Sequence, residues 1–350
     1  MARRYGNKTF LMDPAMPSPF PNLPPEQRGE LAVVRHASSA LLNNFWGDPA
    51  VRDVYVYTPV GATDPLPSML VLPGYAGTGE GMLARGLSSL SFASRLDRLF
   101  ANGCPKFRAI LPEVMTRLGG SQYVDSPGIG NYATWLAREL PEFIDGVFTT
   151  TRRWGVVGRS SGGFGALHLA LTFPGVFAAV GSHAGDLGFD ICYLGDVIGA
   201  VRGVQAAGGL DRFLDAFWAK EDPGGQDFSA LNFLCMACAY APDVTHRPFP
   251  AILPVDFVTG SYNADKMRAW QAFDPIHRDL SPLRALDALF LDAGNRDEHL
   301  LHLGARRLVA RLEAENIPNR YEEFPGGHRG TSYRYDLSLP WLAAALYGRD

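Results

Sequence analysis

Gly158-Arg159-Ser160-Ser161-Gly162 is the segment whose residue types and spacing speak most directly of chemistry. The apolar run Trp154–Val157 precedes it, and Gly163-Phe164-Gly165-Ala166-Leu167-His168-Leu169 reads as a helix after it. Strand, G-x-S-x-G turn and helix make a nucleophile elbow. Its turn is tight enough to force a strained backbone on the middle residue, and the flanking glycines let neighbouring chain pass without a Cβ clash. The serine hydroxyl is pushed out at the C-terminal edge of a sheet, beside a helix N-terminus whose partial positive charge favours an oxyanion. Ser160, midway between Gly158 and Gly162, is the predicted nucleophile, and the backbone N–H of Ser161 the predicted oxyanion donor.

A serine hydroxyl is a poor nucleophile at neutral pH and needs a base. Among eight histidines, His328 lies in Phe324-Pro325-Gly326-Gly327-His328-Arg329-Gly330, straight after the last predicted strand. Glycines around it let the loop carry the ring towards the serine. His168 reads as a packed helix residue, and His299 and His302 sit at a helix start. His36, His183, His246 and His277 lack an obvious partner, although His183 follows a strand and could line the pocket. The acid that fixes the base's tautomer is sought in Leu291-Asp292-Ala293-Gly294-Asn295-Arg296-Asp297-Glu298. Asp297 lies on the loop beyond Gly294 and is the choice, with Glu298 and Asp292 in reserve; Asp292 reads as still on the strand. A second oxyanion donor is expected from Pro73-Gly74-Tyr75-Ala76-Gly77-Thr78-Gly79, where the Tyr75 backbone N–H can point inward. That loop is not a phosphate cradle, because no G-K-[ST] follows. Arg159 reads as a solvated residue of the elbow.

These residues need a frame. Val54–Tyr57, Ser68–Leu72, Phe107–Leu111, Trp154–Val157, Ala178–Gly181, Ala288–Leu291 and Tyr321–Phe324 read as short apolar strands suited to burial on both faces of a parallel sheet. Leu301, Ala305, Leu308 and Leu312 share one helical face, and Trp341, Leu342, Ala345 and Leu346 another. Strands alternating with helices predict an α/β sandwich with a mostly parallel central sheet flanked by helices. Residues 186–285 break the alternation with aromatics such as Phe213, Phe217, Trp218 and Trp270, and read as an insertion, a cap or an enlarged subdomain, before the acid-bearing strand. Met12–Pro25 carries six prolines, so 1–29 is expected to be an extended arm and 30–350 a single domain.

Composition excludes several classes. With 47% hydrophobic and 19% charged residues the chain is not disordered, and a formal charge of −4 gives no bulk attraction to nucleic acid. No apolar run approaches the ~18 residues that span a bilayer. Without an apolar stretch after Met1–Phe10, a cytoplasmic location is expected. Cys235 and Cys238 form one CxxC while Cys104 and Cys192 stand alone, so four reduced, buried thiols are expected rather than a zinc site or a disulfide framework.

The elbow with Gly163-Phe164-Gly165-Ala166-Leu167, together with Pro325-Gly326-Gly327-His328, resembles the putative-esterase family of α/β hydrolases, which includes esterase D, enterochelin esterases and the mycolyltransferases. Leu118-Gly119-Gly120-Ser121-Gln122-Tyr123 and Arg52-Asp53-Val54-Tyr55-Val56-Tyr57-Thr58-Pro59 add to the likeness, which spans most of residues 30–345. The resemblance implies an α/β-hydrolase fold and a serine carboxylesterase acting on a small-molecule ester, with neither a metal nor an organic cofactor. An acyltransferase or siderophore-type esterase using the same triad is the alternative, and a non-catalytic binding protein the contrasting class.

Overall fold

The computed structural model describes residues 3–5, 8–10, 23–62, 65–85 and 90–348. Its twelve strands are β1 (Arg3–Tyr5), β2 (Lys8–Phe10), β3 (Glu30–Ala37), β4 (Val51–Thr58), β5 (Leu66–Leu72), β6 (Arg108–Pro112), β7 (Asp125–Ser126), β8 (Gly130–Asn131), β9 (Thr150–Arg159), β10 (Phe177–His183), β11 (Ala288–Gly294) and β12 (Arg320–Phe324). Ten form one mixed sheet in the order β1-β2-β3-β4-β6-β5-β9-β10-β11-β12, and β7 pairs with β8 apart from it. From β6 to β12 every pairing is parallel, whereas β1 to β4 run antiparallel and β4 joins β6 antiparallel.

Burial explains which strands the sequence announces. Every residue of β5, β6 and β11 is buried, because helices cover both faces of the parallel part. Along β5, Leu70 and Leu72 join one core with Ile110, Trp135 and Phe164, while Met69 and Val71 join another with Phe92, Leu96, Leu339 and Leu342. Each such side chain taken fully out of water contributes about 1.5–3 kcal/mol. The helices Ser161–Thr172 and Leu140–Val147 contribute to the first core, and Phe92–Ala101 and Tyr335–Ala345 to the second. This three-layer architecture is the α/β-hydrolase fold expected. The seven anticipated strands are all present, though most are longer than their apolar cores. β3 was not anticipated: only Ala32 and Val34 of its eight residues are buried, and its apolar run Leu31–Val34 ends at Arg35 and His36.

Between β10 and β11 the chain forms mainly helices, including Leu194–Ala206, Leu210–Trp218 and Gly225–Tyr240. Helix Gly225–Tyr240 buries residues on all sides, and Phe233 and Tyr240 pack against Trp270, which is fully buried. Residues 12–22 of the proline-rich stretch lie outside the described residues, and Pro25–Gln27 form a single 3₁₀ turn. All four cysteines are free and buried. Among the described residues no helix is long and apolar enough to cross a membrane.

The helix Leu301–Ala314 packs against the chain that leaves β10, and Gly304 is the point of closest approach. A Cβ on Gly304 would lie 2.1 Å from the Leu187 carbonyl oxygen, which is backbone and cannot swing aside. Gly304→Ala is therefore expected to cost about 1–3 kcal/mol through overpacking. Thermal unfolding should show a lower midpoint for the variant; an unchanged midpoint would contradict the contact.

Candidate active site

β9 runs directly into the helix Ser161–Thr172, and Ser160 makes the corner with φ 58° and ψ −128°. Its neighbours have no room for side chains. A Cβ on Gly158 would lie 2.2 Å from the Gly162 carbonyl oxygen, and one on Gly162 2.3 Å from the Leu72 carbonyl oxygen. The strained residue is pinned on both sides of its backbone. Its N–H donates to the His183 carbonyl at 2.9 Å, and its carbonyl accepts from Gly163 at 2.8 Å and Phe164 at 3.0 Å.

β11 and β12 deliver the other two side chains. The loops that follow them are laced together: Asn295 N–H donates to the Phe324 carbonyl at 2.9 Å, and Arg296 N–H to the Gly326 carbonyl at 2.8 Å. His328 Nδ1 stands 2.8 Å from Asp297 Oδ2, and His328 Nε2 stands 3.1 Å from Ser160 Oγ. With its Nδ1 proton donated to the carboxylate, the ring presents the Nε2 lone pair to the serine hydroxyl. Asp297 also accepts the His299 N–H at 2.9 Å. Burial pushes the Asp297 carboxyl up, yet the hydrogen bond and charge of His328, with the His299 amide, hold it below the ordinary carboxylate value. It is thus ionised at neutral pH.

The three acid candidates have separate jobs. Glu298 accepts the backbone N–H of His328 at 2.6 Å and so holds the loop, not the ring. Asp292 lies on β11, bound to Arg334 Nε at 2.7 Å and to His183 Nδ1 at 3.0 Å. Of the three, Asp297 is the one that reaches the imidazole of His328.

The loop after β5 passes over the nucleophile. A Cβ on Gly74 would lie 3.4 Å from Ser160 Cβ and 4.0 Å from its Oγ. Gly77 N–H closes a turn onto the Gly74 carbonyl at 2.9 Å, Ala76 takes a left-handed φ of 58°, and the Tyr75 hydroxyl anchors on the Leu118 carbonyl at 2.8 Å. Neither the Tyr75 nor the Ser161 backbone N–H donates to any group among the described residues. Both stay available to an oxyanion beside Ser160.

Several residues behave otherwise than expected. Arg159 is not a solvated elbow residue: its guanidinium donates to the His328 carbonyl. His36 has a partner, its Nδ1 accepting from the Trp135 indole at 2.9 Å. His183 does not line the pocket with its ring, which is buried between Asp292 and Ser338 Oγ, 2.8 Å from Nε2. His168 is packed as expected, and burial, aided by the Arg278 charge, drives it down to about 3. His299 sets its ring edge-on to His328, centroids 4.9 Å apart. Asp186 was passed over altogether. It is 9% exposed, bonds the Tyr193 hydroxyl at 3.2 Å, and interacts with both the Ser160 hydroxyl and the charge of His328. One signal could have found it: a carboxylate three residues past a strand that ends beside the nucleophile lies at the edge where such sheets hold ligands. No cluster of metal-ligating side chains occurs among the described residues.

A family model described as "Putative esterase" matches residues 121–340. Solved structures similar to this chain include a ferulic acid esterase, with 15% identity, a TM-score of 0.55, and 91% of this chain and 99% of that one covered. An S-formylglutathione hydrolase from Agrobacterium tumefaciens has 17% identity and a TM-score of 0.54, covering 91% and 96%. The fluorophosphonate-binding serine hydrolase F of Staphylococcus aureus has 14% identity and a TM-score of 0.52, covering 90% and 99%. At these identities the likeness establishes the fold. No curated protein sequence matches the chain.

The division of labour between the adjacent carboxylates predicts unequal losses. Asp297→Asn leaves the ring without its anionic partner and should lower kcat on a p-nitrophenyl ester by about 10⁴. Glu298→Gln keeps an acceptor for the His328 amide and should stay within roughly tenfold of wild type, on the scale of one displaced positioning hydrogen bond. Equal losses in the two variants would contradict the assignment.

Proposed function

The chain belongs to the putative-esterase family, a serine ester hydrolase of carboxylesterase type, and from that premise we propose that Ser160, His328 and Asp297 are its catalytic triad and small to medium carboxylic esters its substrates. The observation that carries the reading is the unbroken hydrogen-bonded line Asp297–His328–Ser160 beside two unused backbone amides. His328 Nε2 takes the hydroxyl proton as Ser160 Oγ adds to the ester carbonyl carbon. Negative charge then develops on the carbonyl oxygen, and the Tyr75 and Ser161 amides donate to it; one such donor is worth about 10²–10³ in kcat. Collapse of the tetrahedral adduct breaks the bond to the alcohol oxygen, which leaves with the proton from His328. Water, deprotonated by the same ring, adds to the acyl-enzyme and releases the acid with Ser160 restored. Asp297 stays ionised throughout and stabilises the imidazolium of each transition state.

In this reading residues 30–350 are one hydrolase domain and 186–285 cap its site, while β1 and β2 extend the sheet beside β3 and do not form the separate arm expected of 1–29. The aromatic faces of the cap shape the pocket. Cytoplasm is the compartment proposed, in keeping with four free thiols.

The test is hydrolysis of p-nitrophenyl esters from acetate to dodecanoate by wild type and Ser160→Ala. A loss of about 10³-fold or more is expected in the variant, together with loss of labelling by a fluorophosphonate. The chain-length optimum of the wild type then measures the acyl pocket. Wild type that neither hydrolyses an ester nor takes the label would overturn the reading.

A further inference from the structure

The segment between β6 and β7 holds the loop that carries the Tyr75 amide. Thr116 ties it into a tight turn, its Oγ1 donating to the Gly120 carbonyl at 2.6 Å while the Gly119 N–H closes onto the Thr116 carbonyl at 2.9 Å. From this turn the Leu118 carbonyl accepts the Tyr75 hydroxyl at 2.8 Å, and the Gly119 carbonyl accepts the Ala76 N–H at 2.9 Å. Three residues of the segment lie in the left-handed region, Gly119 at φ 81°, Gln122 at 51° and Tyr123 at 57°. Two consecutive non-glycine residues there are costly, and strain of this kind collects where a site needs a side chain aimed.

The side chain that this strain aims is Tyr123. Its ring lies against the elbow helix, where a Cβ on Gly165 would meet Tyr123 Cγ at 2.4 Å. Its buried hydroxyl donates to the Pro73 carbonyl at 2.5 Å. That carbonyl lies just past the end of β5, and no main-chain N–H among the described residues donates to it. It faces the elbow, 2.4 Å from where a Cβ on Gly162 would be, so a buried acceptor there needs the partner that Tyr123 supplies. Burial pushes the Tyr123 hydroxyl well above the usual phenol value, which keeps it a protonated donor.

Pro73 and Tyr75 stand on either side of Gly74, whose missing side chain lets the loop pass close to Ser160. Glycine also leaves the two peptide planes beside it free to turn. The Gly74–Tyr75 peptide, whose N–H is the second oxyanion donor of the proposed mechanism, therefore depends on holds at both ends. The Tyr75 hydroxyl and the Ala76 N–H hold one end, and Tyr123 holds the other. A donor serves an oxyanion only when its N–H is aimed at the oxygen. We propose that Tyr123 is a positioning residue of the oxyanion hole: by holding the Pro73 carbonyl it keeps the Tyr75 amide directed at the oxygen of the adduct on Ser160. The inference rests on the esterase reading above and deepens it at one donor. Without the hydroxyl the Pro73 carbonyl is left buried and unpaired, and a turn of its peptide towards another donor redirects the Tyr75 N–H.

The experiment pairs p-nitrophenyl acetate with p-nitrophenyl thionoacetate, in which sulfur replaces the carbonyl oxygen and accepts hydrogen bonds poorly. Each kcat/KM is divided by the ester's own rate of alkaline hydrolysis, so that the oxo-to-thiono ratio reads the oxyanion donors. Tyr123→Phe keeps the ring on Gly165 and removes only the hydroxyl. It should lower kcat/KM on the oxo ester by about tenfold or more, within the roughly 10²–10³ that one complete donor is worth, and cut the ratio about fivefold or more. A packing role would weaken both esters alike, so an unchanged ratio overturns the inference, and so does an unchanged kcat/KM on the oxo ester. Should Tyr123→Phe fail to fold, Tyr75→Phe releases the other end of the same peptide; a lowered ratio there supports the inference and an unchanged one overturns it. Wild type that is labelled on Ser160 by a fluorophosphonate yet uses both esters equally overturns the inference and leaves the esterase reading intact. Absence of turnover with Ser160 unlabelled overturns the esterase reading and this inference with it.

Discussion

Ser160 holds a backbone conformation that an L-residue rarely adopts, and the rest of the molecule is arranged to keep it there. Such a residue costs on the order of 1–3 kcal/mol and persists only where its surroundings over-determine it. Three elements do so. β9 arrives between β5 and β10 buried from Trp154 to Gly158, the following helix is clamped by the Gly163 and Phe164 amides on the Ser160 carbonyl, and β10 offers the His183 carbonyl to the Ser160 N–H. The Leu72 carbonyl lies where a side chain at position 162 would have to go, so the β5 loop that carries Tyr75 is set at its distance from Ser160 by the same glycine. Ser160 and Tyr75, the proposed nucleophile and oxyanion donor, are thus placed by one packing contact.

The histidine is held just as firmly, but by its main chain. Glu298 takes the His328 N–H, while Arg159 and Thr331 donate to its carbonyl. Rotation of the ring is limited by Asp297 at Nδ1 and by His299 against one edge. Arg159 is the last residue of β9, directly before Ser160, so its guanidinium joins the His328 loop to the strand that leads into Ser160. Movement of either loop would be felt by both reacting atoms, which is the preorganisation that proton transfer over 3.1 Å requires.

Much of this was legible in the sequence because its determinants are local. An elbow needs glycines at fixed offsets, and strands buried on both faces read as apolar runs. The residues named for the triad follow from loop chemistry: His328 is flanked by glycines and Asp297 lies beyond Gly294. What was not legible depends on long-range contact. β3 was hidden because its apolar run is only Leu31–Val34, half of it left partly exposed, and ends at Arg35 and His36. Arg159 reads as solvated in isolation, and only the fold shows the carbonyl 169 positions away that it meets. Asp186 was taken as the start of an insertion, since nothing in its neighbours' types tells that Gly185 must lie against Gly163.

Ser338, His183 and Asp292 show why residue types and spacing alone do not make a site. Their spacings, 2.8 Å and 3.0 Å, resemble those of Ser160, His328 and Asp297, but only the Ser338–His183 contact is a hydrogen bond, since Nδ1 of His183 meets Asp292 without one. Yet Ser338 is 0% exposed and His183 3%, so no carbonyl carbon can approach the hydroxyl. Asp292 is shared with Arg334, which also bonds Glu322, so its charge is committed to a buried ion-pair network. This inner set braces the β10–β11 edge, and through the His183 carbonyl it steadies the Ser160 amide. Access and uncommitted charge distinguish the outer set from the inner one.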